Sequence, residues 1–167
     1  RSKVKQVRHH PAVPHADMPE FMAQLTSRSA LAAKALQFTI LTACRTSEVL
    51  GARWEEIDWE NRVWTVPAQR TKSGRPHRVP LSTQAVALLE SLGRVNQWVF
   101  PSRRDKHLSE MAMLILLQKR MGYSDYTVHG FRSTFRDWVL EASDFPGVLA
   151  EKALAHVVRD KAEAAYQ

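Results

Sequence analysis

Cysteine is nearly missing from this sequence, and so are long apolar runs. Among 167 residues Cys44 is the only cysteine, which excludes an internal disulfide and cannot supply a Cys-rich zinc site. A reducing, cytoplasmic setting is expected. No stretch approaches the ~20 apolar residues of a membrane span, and the polar start Arg1 to Arg8 lacks the apolar segment of a signal peptide. A soluble protein without membrane association is therefore expected. Internal repeats and low-complexity stretches are missing too. What is present is 44% apolar residues, enough for one domain to bury a core. Lys and Arg number 24 against 17 Asp and Glu, a net charge of +7 that points to a polyanion, nucleic acid first. Charge alone does not decide this, because many basic proteins bind nothing acidic.

Residues 1–16, with Lys3, Lys5, Arg8, Pro11 and Pro14, show no apolar periodicity and read as a linker or arm before a domain at 17–167. Asp17 followed by Pro19 and Glu20 has the form of a capped helix start, with Phe21, Met22 and Leu25 as its stripe and an end near Ser27. Leu31 to Leu41 is apolar on most of its surface, as in a helix at the centre of a domain. Thr46 or Ser47 is placed to cap a short helix through Leu50, with Arg45 at its start. The texture then changes. Val63 to Val66 and His77 to Leu81 are β-type runs around the polar, Gly-containing 70–75, the pattern of a hairpin with an exposed loop. Helices are expected from Ser82 to Gly93, Ser109 to Gly122, Val128 to Ala142 and Val148 to Leu154, and a last one, capped by Asp160, carries Tyr166. The expected fold is α+β: mostly helical, with a small antiparallel sheet of about three strands packed around the helix from Ser29 to Leu41.

Several residues carry chemistry. His129 and Arg132 lie three apart at the start of a helix, so two donors can meet one phosphate; a solvated surface pair is the plainer reading. Arg45 follows a buried helix, where a long cation is costly to leave unpaired, and satisfaction by Glu48 or by helix-end carbonyls is the alternative. His156 lies in the apolar stretch 153–157, where a core histidine bonded to backbone is the default. A tyrosine near a terminus, such as Tyr166, is ordinarily packing.

Taken together, these residues resemble the tyrosine recombinases, in particular phage and genomic-island integrases. The elements occur in family order: 41–48 with Arg45, Lys72 before 77–82, 127–132 with His129 and Arg132, 154–156 with His156, and 164–166 with Tyr166. The segments 52–54, 57–58 and 99–102 also look like this subfamily. The resemblance implies the family's catalytic-domain fold and a site-specific DNA recombinase that cleaves and rejoins strands through a 3′-phosphotyrosine intermediate, integrating or excising a prophage or genomic island. It implies double-stranded DNA at attachment sites and other integrase subunits as partners, a tetramer on DNA, and neither cofactor nor metal. The family's preceding core-binding domain and C-terminal continuation are not in the sequence. A fragment of a longer integrase is thus expected, monomeric when free, with Tyr166 displaced from the other site residues.

In that reading Tyr166, a phenol with an ordinary pKa of about 10, is the nucleophile. Arg45 and Arg132 neutralise charge building on the five-coordinate phosphorus, which a lysine would do less well. His129 exchanges a proton with Tyr166 and His156 donates a hydrogen bond to phosphate. The resemblance makes Lys72 the general acid for the leaving 5′-oxygen, and Glu48 orients its neighbours. Two alternatives stay open: a type IB topoisomerase or telomere resolvase sharing this chemistry, and a DNA-binding module with a degenerate site.

Overall fold

A computed structural model describes residues 11–103 and 105–156. Among these residues seven α-helices and three strands follow one another as α1 (Met18–Thr26), α2 (Leu31–Thr42), α3 (Thr46–Leu50), β1 (Ile57–Asp58), β2 (Val63–Val66), β3 (His77–Pro80), α4 (Thr83–Glu90), α5 (Met111–Ile115), α6 (Gly130–Ala142) and α7 (Gly147–Ala153). The sheet is antiparallel in the order β1-β2-β3, with Ile57 opposite Trp64, and Trp64 opposite Val79. Pro80 cannot donate to a ladder and lies on an edge strand, where none is required. The α+β architecture with three short strands is the one expected from the sequence.

Helix α2 is the hub. Ala33, Ala35, Leu36 and Phe38 are fully buried, Thr39 and Thr42 donate to the carbonyls four residues back at 2.8 and 2.7 Å, and Gln37 Nε2 donates to the Leu25 carbonyl of α1 at 3.2 Å. Phe38 meets Trp64 of the sheet at a ring separation of 5.3 Å and Phe100 at 5.8 Å. On the other side, Phe21 of α1 lies 4.9 Å from Phe131 of α6. The sheet and the two outer helices are thereby held to one core, mainly by apolar burial.

Several boundaries differ from expectation for identifiable reasons. Ser82 does cap α4, accepting from the Ala85 N–H at 3.2 Å, but that helix stops at Glu90, short of Gly93. The helix expected from Ser109 starts at Met111 and loosens at Leu116–Arg120 into a π-helical turn, a change that apolar spacing does not encode. Neither Thr46 nor Ser47 caps α3. Arg45 is the N-cap residue, and the Glu48 carboxylate reaches back to its N–H at 2.9 Å. The helix expected from Val128 begins at Gly130. Val13, inside the segment read as an arm, is buried, and its carbonyl accepts from Thr134 Oγ1 at 2.6 Å. Gly130 permits this approach, since a Cβ there would collide with the Pro11 carbonyl oxygen.

Candidate active site

Two helix ends and one hairpin build the site. α2 closes on Ala43, which takes a left-handed conformation (φ 51°) and turns the chain so that Arg45 starts α3. Such a conformation is uncommon for a residue with a Cβ and persists where surrounding contacts demand it. The Arg45 guanidinium is paired with Glu48 at 3.0 Å, and the Glu48 side chain is only 1% exposed. Of the two readings of Arg45, satisfaction by Glu48 thus holds in the free protein, while the arginine keeps a solvent-facing edge.

α7 closes in the same manner on Ala155 (φ 50°), which swings His156 away from the apolar interior. His156 is accordingly exposed, not the core histidine that its neighbours suggest. Arg132 joins the two helix ends. Buried on α6, it donates through one guanidinium nitrogen to the Ala43 carbonyl and through the other to the Leu154 carbonyl at 2.6 Å, and it faces His156 Nε2 at 3.3 Å. These carbonyls belong to helix C-termini, which lack intrahelical partners and attract cations. Burial, and after it the neighbouring Arg45 charge, lowers the Arg132 pKa, but a guanidinium remains charged under any physiological condition.

The hairpin supplies Lys72. Its base is fixed by Arg70, which forks onto both oxygens of Glu56 at 2.7 and 2.6 Å and also donates to the Gly51 carbonyl. Glu56 in turn accepts from Trp64 Nε1 at 3.0 Å, so the loop is tied both to the sheet and to the end of α3. Beyond Arg70 the tip turns through Gly74 (φ 68°), and the Thr71 hydroxyl donates to the Arg75 carbonyl at 2.7 Å.

These pieces enclose an open cleft of about 300 Å³ lined by Arg45, Lys72, Ser73, Ala155 and His156. Three of the six residues singled out in the sequence therefore meet around one space, with Arg132 directly behind His156. His129 stands at the N-cap position of α6, exposed, and is not among the described residues lining the cleft. Tyr166, and the helix expected to start at Asp160, lie outside the described residues. Sequence reasoning missed Glu151 and Arg136. Glu151 pairs with His156 Nδ1 at 2.6 Å and with Arg136 Nε at 3.0 Å. The signal was there in part, because Arg136 stands four residues after Arg132 on the same helix face.

A second cluster lies beneath. Cys44, Glu48 and His77 bring ligand-type atoms within 4.8 Å of one another, the one such group among the described residues. It is poorly suited to a cation. Both Glu48 oxygens accept from Arg45, and the charges of Arg45 and Arg132 act on the site. Burial pushes the Cys44 thiol up to about 12, with the Glu48 charge adding to the rise and a Thr42 hydrogen bond opposing it. His77 is held below its ordinary value by burial, with Arg132 and Arg45 adding to the effect and Glu48 opposing it.

Among the described residues the cleft is walled by an arginine, a lysine and a histidine, is backed by a second arginine and is lined by no carboxylate, a lining whose chemistry suits an anion. The sequence matches the Phage integrase family over residues 12–166. The chain belongs to that family. It is 38% identical over 161 residues to prophage integrase IntZ of Escherichia coli (strain K12), covering 93% of this chain and 40% of that protein. To the integrase of Enterobacteria phage P4 it is 33% identical over 183 residues, covering 96% and 42%. The chain thus spans about two-fifths of these relatives. Among solved structures it shares its fold with XerH recombinase bound to difH in a pre-cleavage complex (TM-score 0.70, 15% identity, 93% of this chain and 50% of that one). It likewise shares it with a lambda integrase tetramer bound to a Holliday junction (TM-score 0.69, 16% identity, 96% and 51%). No helix among the described residues is long and apolar enough to cross a membrane.

Proposed function

We propose that this chain is the catalytic part of a site-specific DNA recombinase, an integrase that cuts and rejoins duplex DNA at attachment sites to insert or release a prophage or genomic island. One observation carries the reading: Arg45, Lys72 and His156 converge on one cleft with Arg132 tied behind them, in a chain of the phage integrase family. The net charge of +7 suits a polyanionic substrate. The cytoplasm is the compartment where such DNA is met, and the DNA-bound tetramer named among the structural relatives favours assembly with other integrase subunits on the substrate.

In this mechanism the Tyr166 oxygen attacks the scissile phosphorus while the bond from phosphorus to the 5′-oxygen breaks. Arg45 and Arg132 donate to the non-bridging oxygens as charge grows on them, stabilising the transition state more than the ground state. Arg132 must then exchange a carbonyl contact for phosphate. His156 adds a hydrogen bond, His129 takes the tyrosine proton, and Lys72 gives one to the departing 5′-oxygen. The products are a 3′-phosphotyrosyl end and a 5′-hydroxyl. The bond energy is kept, so attack by a 5′-hydroxyl of another strand reverses the step, and the cations are side chains.

Incubation with a duplex nicked next to the cleavage site tests this, because the small 5′-product diffuses away and traps the enzyme. A protein–DNA adduct that survives detergent is expected. Tight binding without any adduct would favour the degenerate DNA-binding module, and relaxation of supercoils that needs no attachment site would favour a topoisomerase.

A further inference from the structure

The closure of α7 ties two side chains as well as two backbone groups. The His156 N–H donates to the Glu151 carbonyl at 2.9 Å and the Ala155 N–H to the Lys152 carbonyl at 3.0 Å, the paired bonds that fold a chain back over its last helical turn. The two side chains brought together by such a closure are commonly apolar. Here they are an imidazole and a carboxylate, with His156 Nδ1 2.6 Å from Glu151 Oε2. The other Glu151 oxygen is held by Arg136 Nε at 3.0 Å. On the far edge of the ring, His156 Nε2 faces the Arg132 guanidinium at 3.3 Å.

A carboxylate only accepts and a guanidinium only donates. The ring between them therefore carries its hydrogen on Nδ1 and turns a lone pair on Nε2 toward Arg132. Resting on the recombinase reading above, we infer that Glu151 is a positioning residue of the site. It fixes the plane and tautomer of His156 so that Nε2 is the nitrogen presented to the scissile phosphate, and Arg136 holds Glu151 in turn. When phosphate takes up the Arg132 donors, Nε2 accepts a proton from solvent and donates it in a hydrogen bond to a non-bridging oxygen. Nδ1–H stays on the carboxylate throughout, the arrangement by which a carboxylate behind a histidine sets its orientation and supports its charged form. Glu151 itself touches no reacting atom.

Replacing a merely structural Glu151, one that only ties α7 to α6, would lower stability and leave the ring tautomer and the cleavage rate unmoved, and this separates the two roles. Nitrogen-15 NMR of the histidine ring reports which nitrogen carries hydrogen, independently of activity. The parent is expected to show Nδ1–H at His156. Glu151→Gln, whose amide oxygen still accepts, should keep that tautomer and cleave nicked duplex within about 5-fold of the parent. Glu151→Ala should lose the Nδ1–H signature and slow cleavage by roughly 10- to 100-fold, as removal of a partner behind a functional histidine does, with DNA affinity unchanged. If Glu151→Ala melts α7, Glu151→Leu keeps the volume without an acceptor and is read in the same way. An Nε2–H ring in the parent would overturn the inference, and so would an alanine variant that keeps both Nδ1–H and the parent rate. If no variant and no parent forms covalent product, the recombinase reading falls. The NMR comparison then still decides whether Glu151 sets the ring.

Discussion

Replacing Arg45 by alanine should destabilise the fold as well as stop the chemistry, and the two effects can be separated. The Glu48 carboxylate accepts from the Arg45 guanidinium at 3.0 Å and from the Arg45 N–H at 2.9 Å. Its side chain is 1% exposed, against 21% for Arg45. Arg45→Ala leaves a buried negative charge with its backbone partner alone. Removing one member of a buried pair costs about 3–5 kcal/mol, and the partial exposure of Arg45 argues for the low end, roughly 3 kcal/mol. For a domain of this size each kcal/mol moves Tm by about 2–4 °C, so a fall of roughly 6–12 °C is expected. Arg45→Ala combined with Glu48→Gln removes the stranded charge and should recover most of that fall. Covalent-complex formation should remain at least ~100-fold slow in both, because the transition-state donor is gone in both. Thermal melts followed by circular dichroism, beside single-turnover cleavage of nicked duplex, make the comparison. An Arg45→Ala variant melting within about 2 °C of the parent, or a double variant no more stable than the single one, would refute the reasoning.

Further outcomes follow from the same geometry. Arg132→Ala should slow cleavage by ~100-fold or more, and rates within a few-fold of the parent would place Arg132 outside the site. Tyr166→Phe should bind DNA as the parent does and yield no adduct on denaturing gels. Cys44, held protonated up to about 12 by burial, keeps a proton that the unfolded chain releases near 9.0. The native state therefore binds more protons across that window, and stability must fall as pH rises through it. The parent, but not Cys44→Ala, should show this component in denaturant titrations between pH 9 and 12. Chelators should leave cleavage unchanged, because side-chain cations neutralise the phosphate; a loss reversed by magnesium would contradict the mechanism.

Much of the fold could be read from residue pattern because each element announces itself. The apolar surface of α2 marks the centre, the β-branched run at 63–66 marks a strand, and Ser82 marks a helix start that the structure retains. What stayed hidden depends on tertiary partners. Arg45 acts as the N-cap of α3 only because Glu48 reaches back to it, and Val13 is buried only because α6 offers Thr134. Of the candidate site, Arg45, Lys72 and His156 could be picked out by residue type and order before their convergence on one cleft was seen, while the wiring around them could not. No spacing rule reveals that Arg132 bridges the carbonyls of Ala43 and Leu154, because the two helix ends are closed by left-handed Ala43 and Ala155, alanines in place of the usual glycine. Glu151 escaped for a similar reason: a separation of five residues matches no helical face and becomes contact only through the closure at Ala155.

The account is tested most directly by the identity of the bond to DNA. Trapped complex from a nicked attachment-site duplex is digested, the DNA-linked peptide is sequenced by mass spectrometry, and the released strand end is tested for phosphorylation by polynucleotide kinase. The account predicts one linkage, from Tyr166 to a 3′-phosphate, and a free 5′-hydroxyl that the kinase labels without prior dephosphorylation. A linkage through another residue, a 5′-phosphotyrosyl end, or cleavage with no protein attached would contradict it.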